Sequence, residues 1–307
     1  MIDIVIVNWN SGQLVTNCVR SIIENDSPSR VSKIFVIDNN SQDQSALNLS
    51  AIDSRIYLVQ NNENLGFAKA CNQGFKLCTS SYVLLLNPDA MLLKNTLEDC
   101  VNYMQQHQDI DILGCRLLDD HGLLSPSCSR FPSPKRILFD AIGLSKIAPR
   151  TFKPGTIMTD WDHKENRFVD QVMGAFMFMR LACFTKIGLF DERFFVYYEE
   201  VDFSKRLTEQ NGRIFYNQEI TAVHSGEGTT KSIKGFRLFL SLRSRLQYAQ
   251  KHFSTFGYFV VWVSTYFVEP FSRIAFAVLK RNLLGIKEVF KAYRLLIAGH
   301  NPAPSNK

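Results

Sequence analysis

The sequence predicts an α/β protein in two parts, a parallel-stranded sheet clothed in helices followed by a basic helical tail. Three observations lead there. Short apolar runs alternate with amphipathic stretches over the first 116 residues, each apolar run ends in polar residues, and positive charge is concentrated after residue 230. Strands alternating with helices imply βαβ units and parallel pairing.

The opening MIDIVIVNWN reads as a strand over 2–7 rather than a leader, since no basic stretch precedes its apolar run and it carries Asp3. Helical spacing follows over 13–25, 43–50 and 67–78, and further strands are expected at 33–37, 55–59 and 82–86. These strands are almost continuously apolar, as strands covered on both faces should be. Ligands of open α/β sheets sit beyond the carboxyl ends of the strands. Those ends read Asn8-Trp9-Asn10, Asp38-Asn39-Asn40, Gln60-Asn61-Asn62 and Asn87-Pro88-Asp89. One such cluster is an ordinary turn signal. Four converging on one edge point to a ligand site.

The rhythm is lost over 117–168, where Pro126, Pro132, Pro134, Pro149 and Pro154 stand among basic and aromatic residues, and a long insertion or loop is expected. Strand character returns at 171–180 with Gly174 at its centre. A helix over 181–187, a charged helix from Glu199 to about Gln210, a strand at 213–217 and a loop holding His224 follow. The tail reads as helices over 232–299, with Phe239, Leu242, Leu246, Ala249 and Phe253 on one stripe. Its uncharged run at 256–268 stops at Glu269-Pro270 after 13 residues, short of the roughly 20 a spanning helix needs, so an interfacial or re-entrant segment is expected. Over 286–297, Lys287, Lys291 and Arg294 share a face flanked by Ile286, Val289, Phe290, Tyr293 and Ile297. That pattern suits a helix lying in a membrane interface, or else packing on the catalytic domain or a second subunit in a homo-oligomer.

Composition narrows the function. The seven cysteines are odd in number with no C-x-x-C pair, which argues against a zinc site or disulfide framework and for a reducing compartment. Residues 231–307 hold 13 Lys+Arg against two acids, a net +11, leaving −5 for the first 230 residues. The basic character therefore belongs to the tail and is no nucleic-acid signal; it points to an anionic membrane surface or an anionic acceptor.

The motifs VNWN (7–10), VIDNNSQD (36–43), NENLGFAKACNQG (62–74), LLNPDA (85–90), GAFMFMR (174–180) and FDERFFVYYEEVDFSKRL (190–207) occur in an order and spacing that resemble the family 2 glycosyltransferases, in particular a bacterial rhamnosyltransferase-like branch. The resemblance covers residues 2 to about 225. It implies a GT-A, Rossmann-like nucleotide-diphospho-sugar transferase fold over 1–230, with a nucleotide-sugar-binding half at 1–116, the insertion at 117–168 and an acceptor and catalytic half at 169–230. A helical, membrane-associating extension over 231–307 would follow.

What the resemblance implies for single residues can be set against their chemistry. Asp38 would accept a hydrogen bond from the pyrimidine ring, which suits an acceptor-only carboxylate, or it merely opens a turn. Asn8, Trp9 and Asn39 would flank the base. Asn62, Asn64, Gly66 and Phe67 precede a helix whose N-terminus would favour a phosphate, with Lys69 either reaching it or solvated. Asn87-Pro88-Asp89 stands where such enzymes carry two aspartates, so Asp89 would ligate Mg²⁺ or Mn²⁺ with Asn87 as a weaker neutral ligand and His224 completing the shell. A site with one imidazole modestly favours Mn²⁺. Glu200 would be the base that takes the acceptor proton, with Glu199 its rival and Asp202 completing the cluster. Gly174 and Ala175 would leave room for the acceptor sugar. Arg243, Arg245, Lys251 and His252 would meet a pyrophosphate-lipid headgroup.

The expected activity is inverting transfer of one sugar, L-rhamnose from dTDP-rhamnose, to a lipid-linked glycan of surface polysaccharide assembly at the cytoplasmic face of the membrane. A UDP-hexose donor is the alternative. A sugar-nucleotide pyrophosphorylase would need a glycine-rich basic loop after the first strand, which VNWNSG is not. A non-catalytic scaffold of the same fold draws support only from Asn87 and the Glu-Glu pair.

Overall fold

The computed structural model describes residues 1–25, 29–148, 151–152, 157–226 and 234–300. Pro149, Pro154, the end of the loop after His224, and 231–233 and 301–307 of the expected tail lie outside them. The first half runs β1 (Ile2–Asn8), α1 (Gln13–Asn25), β2 (Val31–Asp38), β3 (Ile56–Gln60), α2 (Phe67–Leu77), β4 (Tyr82–Leu86), β5 (Ala90–Leu92), α3 (Thr96–Gln106) and β6 (Ile112–Leu118). Then come β7 (Leu124–Ser125), β8 (Cys128–Ser129), α4 (Pro134–Ala141), α5 (Leu144–Ile147), β9 (Arg167–Phe168), β10 (Gln171–Val172), β11 (Phe176–Arg180), α6 (Ala182–Ile187), α7 (Glu199–Glu209) and β12 (Ile214–His224). The tail is α8 (Lys234–His252), α9 (Thr255–Val263), a π-helical turn at Ser264–Val268, α10 (Glu269–Leu279) and α11 (Leu283–Ile297).

The main sheet has the order β3-β2-β1-β4-β11-β6-β12-β5. Its first four strands are parallel, as expected, whereas β11 runs antiparallel between β4 and β6, so the sheet is mixed. Side chains of a strand alternate between faces, and both faces are covered. Ile2, Ile4 and Ile6 of β1 join Leu84 and Leu86 of β4 in one core cluster, while Val5 and Val7 join Val83 and Leu85 in the other. The seven cysteines are all buried, and none is in a disulfide.

Three expectations are corrected. The helix over 43–50 is only a 3-10 turn at Leu49–Ala51. Asp43 accepts from the Ser45 and Gly12 backbone N–H groups, and Gln44 and Asn48 take left-handed φ, so local side-chain bonds displace the helical ladder. The segment 117–168 is no bare loop, because β7 pairs with β6, β8 with β10 and β9 with β12. Arg130 grips Asp160 through two bonds at 2.7 and 2.9 Å, and the Tyr216 hydroxyl donates to the His163 carbonyl at 3.0 Å.

The third correction concerns the tail. Val289, Ala292, Tyr293 and Leu296 of α11 are buried against Phe239, Leu240 and Leu242 of α8, so Val289 and Tyr293 of the flank expected to face lipid pack within the protein, while Phe290 and Ile297 stay exposed. The same cluster takes in Phe195, Val196 and Tyr197 of the catalytic half, and the Ser244 hydroxyl donates to the Val196 carbonyl at 2.8 Å. The tail is thus built onto the sheet domain. Among the described residues no helix is long and apolar enough to cross a membrane.

Candidate active site

In parallel register Asn8 lies beside Asp38 and Asp38 beside Gln60, which brings the strand ends to one edge. A cavity of about 750 Å³ opens there. Trp9, Asn39, Asn64, Asn87, Asp89 and His224 line it, as do Gly174, Glu199 and Glu200. Residues far apart in the sequence, from the first strand to the end of β12, therefore meet in one place.

Asp38 and Asn8 stand behind this wall. The Asn8 amide donates to Asp38 Oδ1 at 2.7 Å and to Ser45 Oγ at 2.8 Å, and Asp38 also accepts from the Ser41 hydroxyl at 2.6 Å. Their job in this structure is to brace the strand ends. Asn39 ties the next layer: its amide donates to Asn64 Oδ1 at 3.2 Å and to the Gly66 carbonyl at 3.1 Å.

Gly66 departs from its expected role. Its φ of +87° and a Cβ position only 2.6 Å from the Phe195 carbonyl demand glycine. The Phe67 N–H at the start of α2 donates to that same carbonyl at 2.6 Å. The close approach at this helix N-terminus is therefore made by the chain leading into α7, not by an open phosphate cradle. Lys69 points away, exposed on α2 and outside the cavity wall.

Asp89 and His224 meet as expected. Antiparallel pairing of β12 with β5 sets His224 opposite Ala90, and His224 Nε2 lies 3.3 Å from Asp89 Oδ1. Asn87 is held by its N–H bond to the Ala175 carbonyl at 3.1 Å and lines the same wall. A carboxylate, an imidazole and an amide converging on a diphosphate-sized cavity fit a divalent cation whose remaining ligands are phosphate oxygens and water.

The chain enters α7 through Tyr197 and Tyr198, both left-handed at φ 69° and 73°. Such backbone costs about 1–3 kcal/mol per residue and is held only where its surroundings impose it. It delivers Glu199 and Glu200 to the cavity, each with Oε2 buried and unpartnered among the described residues. Burial, then the Glu200 charge, pushes the Glu199 carboxyl well above the usual range, and burial also raises Glu200. A Cβ on Gly174 would lie 4.0 Å from Glu200 Cγ, so the glycine leaves space beside this carboxylate.

Asp202 does not join them. It is fully buried and accepts from Arg206 Nε at 2.8 Å, His252 Nε2 at 2.7 Å and Lys251 Nζ at 2.6 Å. Burial alone would lift its pKa, but these bonds hold it below the usual range. It locks α7 to α8. The same contacts correct the expected headgroup site: Lys251 and His252 face Asp202, and Arg245 is buried against Glu269. Of the four bases, Arg243 alone forms no ion pair with a described residue, and its guanidinium donates to the His300 carbonyl at 3.4 Å.

Several wall residues carry no sequence signal. Ser125, Pro126 and Thr159 come from the segment read as an insertion, and Phe236, Arg237 and Leu240 come from the first turns of α8. The 236/240 spacing marks one helix face, and that is all the sequence offers.

Residues 3–163 match the family model described as Glycosyl transferase family 2. The chain is 26% identical over 261 residues to the low-salt glycan biosynthesis hexosyltransferase Agl10 of Haloferax volcanii, covering 82% of this chain and 76% of that one. It is 23% identical over 237 residues to the N-acetylglucosaminyl-diphospho-decaprenol L-rhamnosyltransferase of Mycobacterium tuberculosis, covering 73% and 76%. In fold it resembles the mannosyltransferase PcManGT of Pyrobaculum calidifontis, solved in complex with GDP-Man and Mn²⁺, with a TM-score of 0.58 at 12% identity over 98% of this chain and 88% of that one.

Proposed function

This chain belongs to glycosyl transferase family 2, and from that membership we propose that it moves one sugar with inversion from a nucleoside-diphosphate donor to a lipid-linked glycan. The observation that carries this reading is the meeting, in one cavity, of the Asp89–His224 pair with the buried Glu199–Glu200 pair. Trp9 offers the base a stacking face. Asp89 and His224, with Asn87 behind them, would hold Mg²⁺ or Mn²⁺ against the donor diphosphate, and the cation would neutralise charge developing on the leaving group. Glu200 takes the proton of the acceptor hydroxyl, its basicity raised by burial. Burial raises both carboxyls, so the pair holds one proton between them and Glu199 remains the rival for the role of base.

L-Rhamnose from dTDP-rhamnose is the proposed donor, supported by the motif resemblance and by the rhamnosyltransferase among the relatives. That relative's named lipid diphosphate substrate supports an acceptor of the same kind. Work at the cytoplasmic face of a membrane is supported by seven buried cysteines that form no disulfide and by apolar side chains exposed on α9, α10 and α11.

The test is transfer by the purified chain with Mn²⁺ across a panel of nucleotide sugars. Glu200→Gln should lower kcat about 10²-fold or more, and EDTA should stop turnover. Near-wild-type transfer by Glu200→Gln sinks the base assignment. Turnover indifferent to EDTA sinks the metal role of Asp89 and His224.

A further inference from the structure

We infer that Arg237 binds the diphosphate of the acceptor, which makes the first tail helix a wall of the acceptor subsite. This rests on the proposed lipid-diphosphate acceptor and gives that proposal a residue.

Among the described residues lining the cavity, Arg237 is the one lysine or arginine. The other charged groups there are the carboxylates Asp89, Glu199 and Glu200, with the His224 imidazole beside Asp89. The Arg237 side chain donates from its Nε to the Tyr197 hydroxyl at 3.2 Å. That bond uses one of the five guanidinium N–H groups and leaves both terminal nitrogens to grip a phosphate as a fork. A guanidinium on a cavity wall that forms no ion pair with a described carboxylate is suited to an anionic ligand.

Which anion it meets follows from reaction geometry. In an inverting displacement the attacking hydroxyl and the departing diphosphate stand on opposite sides of the anomeric carbon. The Asp89–His224 pair belongs to the departing side and Glu200 to the attacking side. Arg237 is anchored on Tyr197, three residues before Glu200 on the strained turn that starts α7. It therefore stands with the acceptor. In a lipid-linked acceptor the diphosphate lies across the sugar ring from the hydroxyl end, within reach of the same wall. Phe236 and Leu240, one turn apart on α8, also line the cavity and flank the guanidinium with apolar surface suited to the first carbons of a lipid chain.

The experiment uses the full chain with two acceptors that share a sugar, one a glycosyl diphosphate carrying a short lipid and the other an octyl glycoside. Donor hydrolysis without acceptor is the third measurement. Wild type should prefer the diphosphate acceptor. Arg237→Gln should raise KM for it about tenfold to a hundredfold, as expected for losing a charged hydrogen bond, and affect octyl glycoside transfer and donor hydrolysis much less, so that the preference between the two acceptors falls. Arg237→Lys should recover part of the preference. If Arg237→Gln keeps the preference, or lowers donor hydrolysis as much as transfer, the assignment is overturned. If wild type itself shows no preference, the lipid-diphosphate reading fails, whatever Arg237 does.

Discussion

Glu199 and Glu200 sit side by side at the start of α7, where the helix dipole favours negative charge by about 0.3–1 kcal/mol. Burial outweighs that help, since both carboxyls are raised. The sign of the pH effect follows. A carboxyl raised on folding stabilises the protein below its ordinary value of 4.5, and that stability is lost as pH climbs through the elevated value, because the native state must then ionise a group the unfolded chain ionises freely. Asp202 acts in the opposite sense: held low by His252, Lys251 and Arg206, it stabilises at neutral pH and loses that effect in acid. Comparison with a variant isolates the first effect. Glu199→Gln should melt above wild type at pH 7–8 and level with it near pH 4, in thermal unfolding followed across that range. Wild-type kcat/KM should show an acid limb above 4.5. A Glu199→Gln chain that is less stable than wild type at pH 8 would mean the carboxylate is satisfied in a way the geometry does not reveal.

At the scale of elements, the Phe195 carbonyl lodges against Gly66 and accepts from the N–H of Phe67, which joins the strand-end edge to the chain that leads into α7. Gly66→Ala adds a methyl 2.6 Å from that carbonyl at φ +87°. Backbone at φ 87° and ψ 165° is essentially glycine-only and costs a side-chain-bearing residue about 1–3 kcal/mol, and the clash adds to it. The variant should melt roughly 4–8 °C lower and lose kcat, because α7 carries Glu200 and shifts with residue 195. An unchanged melting temperature would show that the two elements part freely. Sequence could mark Gly66 as a glycine before a helix but not name what approaches it, because Phe195 lies far along the chain. The same limit hid Arg237 and Asp202. The i, i+3 spacing grouped Asp202 with Glu199, yet its partners Lys251 and His252 come from α8. What was legible was local or repeated. Buried strands announced themselves by continuous apolar runs, and Asp89 and His224 by their motifs, while walls assembled from distant loops leave no periodic trace.

At the scale of the whole molecule, charge and apolar surface share the tail. Phe256, Phe259, Phe267, Phe271, Leu279 and Phe290 are more than half exposed on successive tail elements. Lys280, Arg281, Lys287, Lys291 and Arg294 are exposed among them. The tail's two acids are spent inside the protein, Glu269 on Arg245 and Arg273 and Glu288 on the Gly235 N–H. Exposed aromatic and aliphatic side chains set among bases, with no free acid between them, are the composition of a surface that sits in an anionic interface. Each base near such a surface contributes about 1 kcal/mol, and each Phe that leaves water adds roughly 1.5–3 kcal/mol. Both kinds of residue should therefore matter, and salt separates them, since screening weakens the charges but not the apolar burial. The chain should sediment with phosphatidylglycerol-containing vesicles and far less with phosphatidylcholine alone, and added salt should release part of the bound protein. Phe256→Ser combined with Phe271→Ser should abolish what salt leaves bound while donor hydrolysis in solution stays at the wild-type level, because neither side chain lines the cavity. Protein that stays in the supernatant with anionic vesicles at low salt would overturn the membrane role of the tail and leave its exposed face to be explained by another partner.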